Sequence, residues 1–504
     1  VISGIKGVTT AAAGFFLSEK FRVVPIKLDG YLNIDPGTMN PHEHGEVFVL
    51  SDAEVDMDFH YERFLGTDCS GVQSISMKIY AGVLEKERRG DYLGKTVQMI
   101  PHVTSHIAER IEEVFAQNSG EICMIEVGTV DIEVELYLEA IRQMKRNKRR
   151  EDFLHIHLTY VPVPGVMEQK TKPTQQSINL LQSRGLFPDI IVARPGKLTR
   201  SSLEKIALFS NLRDDRVFSI PDVESIYEIP EILRKQKFDS LLYGKLLEYS
   251  PCHKYEIWKE RLHQKTNTSI TVIVKYTALE DSYSSVVEAL RHAGIMLSEI
   301  DIIFIDTRKK DGIHTVKKCD ACIVPGGFDT AVENMITTLT YIRENNIPCL
   351  GICLLQLMCI EYARNILNQK ANSLEFDKKC PPNDIITLLD SQKNIVNLGT
   401  MRLRQKSKLK KIIFDIYNSA GRVSEKNVHE RFRHRFEVHP YFAEKLESTD
   451  FHITKSSKEI VQFIELDSSV HPYYVATQSH PELSSRLEDP APLFIGLVKT
   501  CIKK

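Results

Sequence analysis

No apolar stretch in the chain approaches the roughly 18 residues that cross a bilayer, and its first residues lack the basic-then-apolar order of a secretory signal. A soluble protein is expected. There is no charge excess either: 65 Lys and Arg stand against 67 Asp and Glu, a formal net charge of -2. That balance excludes a general nucleic-acid or membrane-surface binder, so any phosphate binding has to be local. The 10 cysteines lack the paired spacing of a metal site and the density of a disulfide framework, which points to reduced thiols and a cytoplasmic compartment. Tryptophan is reduced to one residue, Trp258, and no internal repeat or low-complexity segment stands out. Val1-Ile2-Ser3-Gly4 reads as the end of a strand entering a loop, so further residues are expected to precede it.

What is present is length and alternation. A chain of 504 residues, at roughly 150 per domain, has room for about two to four cores. Short apolar runs at Val23-Val24-Pro25-Ile26, Ile122-Cys123-Met124-Ile125, His155-Ile156-His157-Leu158 and Asp189-Ile190-Ile191-Val192 alternate with helical patterns. This predicts a parallel sheet covered by helices, with ligands at the carboxyl ends of the strands. A polar stretch around Trp258 reads as a connector. A second alternating series follows, through Ile270-Thr271-Val272-Ile273-Val274, Ile302-Ile303-Phe304-Ile305 and Ala321-Cys322-Ile323-Val324. The expected organisation is therefore a domain over 1–246, a linker over 247–269 and a second domain over 270–504. The basic run Arg402 to Lys411 reads as a solvated face.

The most informative segment is Pro348-Cys349-Leu350-Gly351-Ile352-Cys353-Leu354-Leu355-Gln356, an apolar run that ends on a cysteine and turns at once into a helix-forming sequence. A strand-to-helix turn of this kind lifts a nucleophile to its tip, with backbone N–H groups facing the attacked carbon. Downstream, Ser479-His480-Pro481-Glu482 follows the strand-like run Tyr473 to Gln478. A thiol needs a base, and the base needs a carboxylate to hold its tautomer. Cys353, His480 and Glu482 supply the three. The loop Val324-Pro325-Gly326-Gly327-Phe328 would bring unobstructed backbone to the oxyanion, with Gly327 and Leu354 as candidate donors.

These motifs resemble the class I glutamine amidotransferases. The resemblance implies a thioester on Cys353 during hydrolysis of glutamine to ammonia, with His480 as general base and then acid, and Glu482 as its orienter. It also implies a glutamine site at Gly326, Gly327, Leu354, Gln356, Glu375 and Arg435, with Glu375 meeting the ammonium group and Arg435 near the carboxylate. The Arg/His run around Arg435 also reads as a surface charge cluster.

In the first half, Ser3-Gly4-Ile5-Lys6-Gly7-Val8-Thr9-Thr10 looks like a worn phosphate loop, though alone it fits a structural loop equally well. Lys27-Leu28-Asp29, His44-Gly45-Glu46 and Glu54-Val55-Asp56-Met57-Asp58 add carboxylates and polar groups close to loops, and magnesium nucleotides need hard oxygen ligands. Together with Lys86-Glu87-Arg88-Arg89-Gly90-Asp91-Tyr92-Leu93-Gly94-Lys95 and Glu168-Gln169-Lys170-Thr171-Lys172-Pro173-Thr174-Gln175, these motifs are similar to the CTP synthase family over essentially the whole chain.

The likeness implies an α/β protein, with a P-loop-type parallel-sheet synthase domain joined to an amidotransferase α/β domain. It implies phosphorylation of UTP by ATP and amination by ammonia. ATP would meet Ser3, Gly4, Lys6, Gly7, Lys27 and Asp58, and Mg2+ would be held by Asp58 and Glu126. UTP or CTP would meet Lys170, Lys172, Gln175 and Lys205, and His44 would line the ammonia route. A homotetramer is implied, with ATP, UTP and glutamine as partners, and GTP enters as an activator.

The chain departs from the family at several turns by lacking a glycine: at Ile5-Lys6, Asp52-Ala53, Phe59-His60, Glu126 to Asp131, Val274-Lys275, Leu354-Leu355 and Leu398-Gly399-Thr400. Each loss is expected to strain a loop. Loss confined to one residue type favours an incomplete sequence over a decayed enzyme. After Phe328 the lid that resembles the GTP-sensing region is replaced by Asp329-Thr330-Ala331 and a helical pattern. Two rival readings follow: a catalytically impaired relative with a binding or assembly role, and an amidotransferase with another acceptor.

Overall fold

The computed structural model of the chain describes residues 3–31, 33–36, 39, 45–52, 54–57, 60–75, 78–128, 132–164, 168–194, 196–244, 253–262, 267–274, 280–297, 299–306, 316–326, 332–353, 355–373, 386–388, 398–402, 411–423, 428–434, 436–455 and 460–502. It divides into two compact units. The first comprises Val1–Asp35, Phe59–Thr67 and Gly71–Leu262; the second comprises Pro36–Asp58, Asp68–Ser70 and His263–Lys504. No helix among the described residues is long and apolar enough to cross a membrane.

In the first unit, strand Val23–Leu28 pairs in parallel with Ile122–Val127, and Ile156–Tyr160, Ile190–Arg194 and Val217–Ser219 form a parallel three-stranded sheet. Continuous apolar runs suit strands that are covered by helices. Helices Thr104–Gln117 and Glu135–Asn147 present Ile107, Ile111 and Val114, and Tyr137, Leu138 and Ile141, at helical spacing to Val24, Ile26 and Leu28. The expected phosphate loop at Ser3–Thr10 is instead the start of a continuous helix, Ser3–Leu17. With Ile5-Lys6 in place of a glycine turn, nothing breaks the helical tendency that runs into Ala11-Ala12-Ala13.

The expected linker over 247–269 is also corrected. It contains helix His253–Leu262, which belongs to the first unit, and the beginning of strand Asn267–Val274. Trp258 is 1% exposed; its ring lies 4.6 Å from Phe15 and 5.4 Å from both Phe64 and Tyr227, and its Nε1 donates to the Tyr227 carbonyl at 2.9 Å. Trp258 is joined in anchoring this mostly polar helix by buried Tyr255 and by Lys254, whose Nζ donates to the Phe64 and Leu65 carbonyls at 3.0 Å.

The second unit is built on a seven-stranded sheet in the order Phe451–Lys455, Val461–Leu466, Tyr474–Thr477, Cys349–Ile352, Ala321–Val324, Asn267–Val274, Glu299–Asp306. The last five are mutually parallel, and the first two are antiparallel additions at one edge. Alternate residues feed two cores. Cys322, Val324, Tyr474 and Ala476 join helices Val332–Glu344 and Leu355–Asn365 on one face, while Ala321, Ile323 and Val475 meet Ser284–Leu297 and Pro492–Ile502 on the other.

Segments Pro36–Asp58 and Asp68–Ser70 lie with this unit rather than in the domain expected over 1–246. They carry an antiparallel hairpin, Val47–Val49 with Val55–Met57. The strain expected at the glycine-short turns is not found at Lys6, Asp52, His60 or Val274, none of which takes a left-handed φ.

Because Phe15 is fully buried against the chain's single tryptophan, Phe15→Ala is expected to cost the first unit about 3–5 kcal/mol. A denaturant titration followed by Trp258 fluorescence reads this as a lower midpoint, and an unchanged midpoint would contradict the packing described.

Candidate active site

Strand Cys349–Ile352 sits between two parallel neighbours, so its carboxyl end opens where ligands bind in such sheets. Cys353 is the next residue and has φ 63°, a left-handed conformation that a β-carbon ordinarily avoids. The turn is held there by its own backbone: Cys353 N–H donates to the Thr477 carbonyl at 2.8 Å, and Gln478 Nε2 donates to the Cys353 carbonyl at 2.6 Å. Helix Leu355–Asn365 then runs into the core with all but its last residues buried. Gly351 makes the approach possible, since a β-carbon there would sit 2.7 Å from Met358 Sδ and 2.8 Å from Ala476 Cβ.

His480 follows the neighbouring strand Tyr474–Thr477 and opens the short turn Pro481–Ser484. The Cys353 sulfur acts on the His480 side chain electrostatically, and the imidazole Nδ1 lies 2.7 Å from Glu482 Oε1. Burial disfavours the imidazolium, but the Glu482 carboxylate and the Cys353 sulfur outweigh it and hold the His480 pKa well above the ordinary histidine range. Gly326 closes the site from the strand Ala321–Val324; a β-carbon at Gly326 would come 2.9 Å from Cys353 Cβ and 3.2 Å from His480 Cε1. The structure therefore brings Cys353, His480, Glu482 and Gly326 together. Gln356 lies buried in the first turn of the following helix. Gly327, Leu354, Glu375 and Arg435 lie outside the described residues.

Sequence reasoning missed several neighbours. Gln478, two residues before His480, also lies 3.9 Å from the Cys353 sulfur through its Nε2. His434 is 8% exposed, neither ring nitrogen has a hydrogen-bond partner among the described residues, and burial, aided by His480, lowers its pKa to about 4. Glu430 is buried behind Glu482, accepts from Tyr417 Oη at 2.5 Å, and has its pKa raised by burial and by the Glu482 charge. All three fall in or beside the quoted motifs, but only their fold contacts single them out.

In the first unit, Lys27 on Val23–Leu28 and Glu126 on Ile122–Val127 are register partners. Lys6 Nζ reaches Asp29 Oδ1 at 2.6 Å and Glu126 Oε1 at 3.3 Å; Lys27 Nζ lies 3.1 Å from Asp29 Oδ2. Tyr61 donates its hydroxyl to Glu126. Burial pushes the Asp29 carboxyl up, but Lys27 and Lys6 outweigh it and hold its pKa below the usual range. This charged cluster gathers three of the expected residues and adds Asp29 and Tyr61. Gly7 is buried one turn along the helix from Gly4, while Asp58 and His44 lie outside the described residues.

The expected uridine-nucleotide residues occupy a different part of the unit. Lys170 pairs with Glu168 at 2.6 Å, and Lys205, exposed on helix Arg200–Ser210, also acts on Glu168 electrostatically. Lys172 opens helix Lys172–Ser183, where Gln175 Nε2 donates to Thr171 Oγ1 at 3.1 Å. Among the described residues, no group of three or more His, Cys, Asp or Glu side chains is close enough to hold a metal ion.

Residues 1–247 match the family model described as CTP synthase N-terminus, and residues 278–500 match that of glutamine amidotransferase class-I. The chain is 43% identical to the CTP synthase of Archaeoglobus fulgidus, with all of this chain and 97% of that protein covered, and 43% identical to the CTP synthase of Borreliella afzelii, covering 98% of it. The chain belongs to the CTP synthase family. Another member, the CTP synthase of Methanococcoides burtonii, is 40% identical, with 97% of it covered. Among solved structures, the chain is similar to the glutaminase domain of Trypanosoma brucei CTPS with bound acivicin, at 29% identity and a TM-score of 0.42, over 47% of this chain and 95% of that one. As a CTP synthase family member with both domains, the chain is a glutamine-dependent ligase.

A raised His480 pKa means that the imidazolium persists above its ordinary value of about 6.5 and is lost only as pH rises through the value in the folded protein. Removing the carboxylate charge with Glu482→Gln is therefore expected to move the alkaline limb of kcat/KM for glutamine hydrolysis to lower pH, and to reduce kcat roughly a hundredfold or more. An unmoved limb would show that Glu482 does not hold the imidazole.

Proposed function

We propose that this chain is a cytoplasmic homotetramer that makes CTP from UTP, ATP and glutamine for pyrimidine nucleotide synthesis. The observation that carries this reading is the left-handed Cys353 beside a hydrogen-bonded His480–Glu482 pair, with Gly326 against both Cys353 and His480. The Cys353 thiolate attacks the side-chain amide carbon of glutamine, and the imidazolium gives its proton to the departing nitrogen. Ammonia leaves and a thioester remains. Water, deprotonated by His480, then attacks the thioester carbonyl, expelling the Cys353 thiolate beside the renewed imidazolium and releasing the glutamate γ-carboxyl group, whose proton passes to solvent. Backbone donors at Gly327 and Leu354 would take the oxyanion, and Glu375 and Arg435 would hold the two charged ends of the amino acid.

In the first unit, O4 of UTP takes the γ-phosphoryl group of ATP; ammonia adds at C4 and phosphate departs, leaving CTP, ADP and phosphate. No protein nucleophile is needed, so catalysis rests on charge and position. Lys27, buried, and Lys6, partly exposed, stand among carboxylates and suit the phosphates of ATP, and the start of helix Ser3–Leu17 adds backbone N–H groups. Lys170, Lys172, Gln175 and Lys205 suit the phosphates of UTP or CTP. The buried carboxylate of Glu126 fits a hard cation; with Asp58 it would hold Mg2+, whose charge neutralises phosphate oxygens. His44 would line the ammonia route. The intact triad contacts favour this reading over an impaired relative.

Cys353→Ala is expected to abolish CTP formation from glutamine and to leave formation from added ammonium within about twofold of the parent. Loss of both would contradict the division of labour. Lys27→Ala should give the mirror result: both routes to CTP fall by about a hundredfold or more, while glutamine hydrolysis persists. Both variants are read by separate assays for CTP and glutamate.

A further inference from the structure

A buried arginine outside the triad ties His480 to a hairpin from the N-terminal half of the sequence. Arg431 lies on strand His429–Arg433, and its side chain is 6% exposed. Its carbonyl accepts from His480 N–H at 2.8 Å, and its Nη1 donates to the Leu483 carbonyl at 3.4 Å. One residue thus grips both ends of the turn Pro481–Ser484, the turn that presents the imidazole and its carboxylate partner. The turn is closed internally as well, by Leu483 N–H donating to the His480 carbonyl at 3.1 Å.

The same guanidinium reaches the other way. Nη1 donates to the Val49 carbonyl at 2.9 Å, Nη2 lies 3.3 Å from Asp68 Oδ1, and the group stands 5.5 Å over the Phe48 ring. Asp68 also pairs with Arg486, just beyond the turn. Val47–Val49 and Asp68 belong to the segments that the fold assigns to the second unit. A guanidinium offers five donors in a fixed fork, so it can hold several carbonyls at once, which a lysine ammonium on a flexible stem does less rigidly. Burying that charge is costly unless its donors are used, and here they are used on the hairpin and on the catalytic turn.

We infer that Arg431 is a positioning residue for glutamine hydrolysis, fixing His480 against Cys353 by clamping the Pro481–Ser484 turn to the hairpin Val47–Met57. This rests on the triad reading given above. The position of the imidazole then depends on a segment more than 370 residues earlier in the chain, as the separation of 382 between Arg431 and Val49 makes plain. Arg431 meets no reacting atom, so its loss misplaces the base without touching glutamine.

The test uses the full-length chain, with glutamate release and ammonium-dependent CTP formation measured on each variant. Arg431→Ala is expected to lower kcat for glutamine hydrolysis about tenfold or more, with KM within about twofold and the ammonium-dependent reaction retained. Arg431→Lys should recover part of kcat. Asp68→Asn, at an exposed carboxylate that a change should not unfold, is expected to lower kcat about two- to fivefold with KM unchanged. The inference is overturned if Arg431→Ala keeps the parent kcat, if only KM rises, or if Arg431→Ala loses both reactions while Asp68→Asn keeps the parent kcat. Cys353→Ala run alongside separates the two readings: glutamine hydrolysis surviving in it would sink the triad itself, whereas hydrolysis lost there and unaffected by Arg431→Ala would sink only the clamp.

Discussion

The site depends on one backbone conformation, the left-handed turn at Cys353. A side chain bearing a β-carbon takes that shape at a cost of about 1–2 kcal/mol, so it persists only where the surroundings dictate it. Here they do: the turn is bonded to Thr477 on one side and Gln478 on the other, and its flank is kept clear by glycines at 326 and 351. Both bonding partners lie at the end of the strand that leads into His480. The conformation that exposes the sulfur and the segment that supplies its base are therefore fixed by the same contacts.

That coupling also explains why this thiol is singled out among its neighbours. Cys349 and Cys359 lie four residues before and six after it, fully buried, and burial pushes both thiols far up. A buried thiol in apolar surroundings is chemically inert. Cys353 instead faces an imidazole that is kept cationic by Glu482. Sequence proximity among cysteines says little about reactivity; the turn decides it.

Much of this was legible in the residues, because its determinants are local. An apolar run ending in Cys-Leu-Leu, two glycines after a strand, and His-Pro-Glu after another strand each describe a few consecutive positions, and a parallel sheet brings strand ends together. Lys6, Lys27 and Glu126 were named by resemblance, and their meeting in one charged cluster follows from the pairing of Val23–Leu28 with Ile122–Val127 and from contacts distant in sequence. What escaped depends on contacts distant in sequence. Helix His253–Leu262 reads as a polar connector until Trp258 is seen among Phe15, Phe64 and Tyr227. The hairpin Val47–Met57 looks like part of the first domain, and nothing in its pattern reveals that Val49 meets Arg431. The phosphate-loop motif failed for a third reason: with a glycine lacking, helix propensity takes over from Ser3 onward.

The account stands on covalent chemistry at a single sulfur. Quenching the full-length chain in acid during turnover of glutamine, then mapping the acylated peptides by mass spectrometry, tests that most directly. A glutamyl group on Cys353 and on no other cysteine is the predicted result; acylation of Cys349 or Cys359 instead, or no acyl-protein under conditions where ammonia is being released, would contradict it.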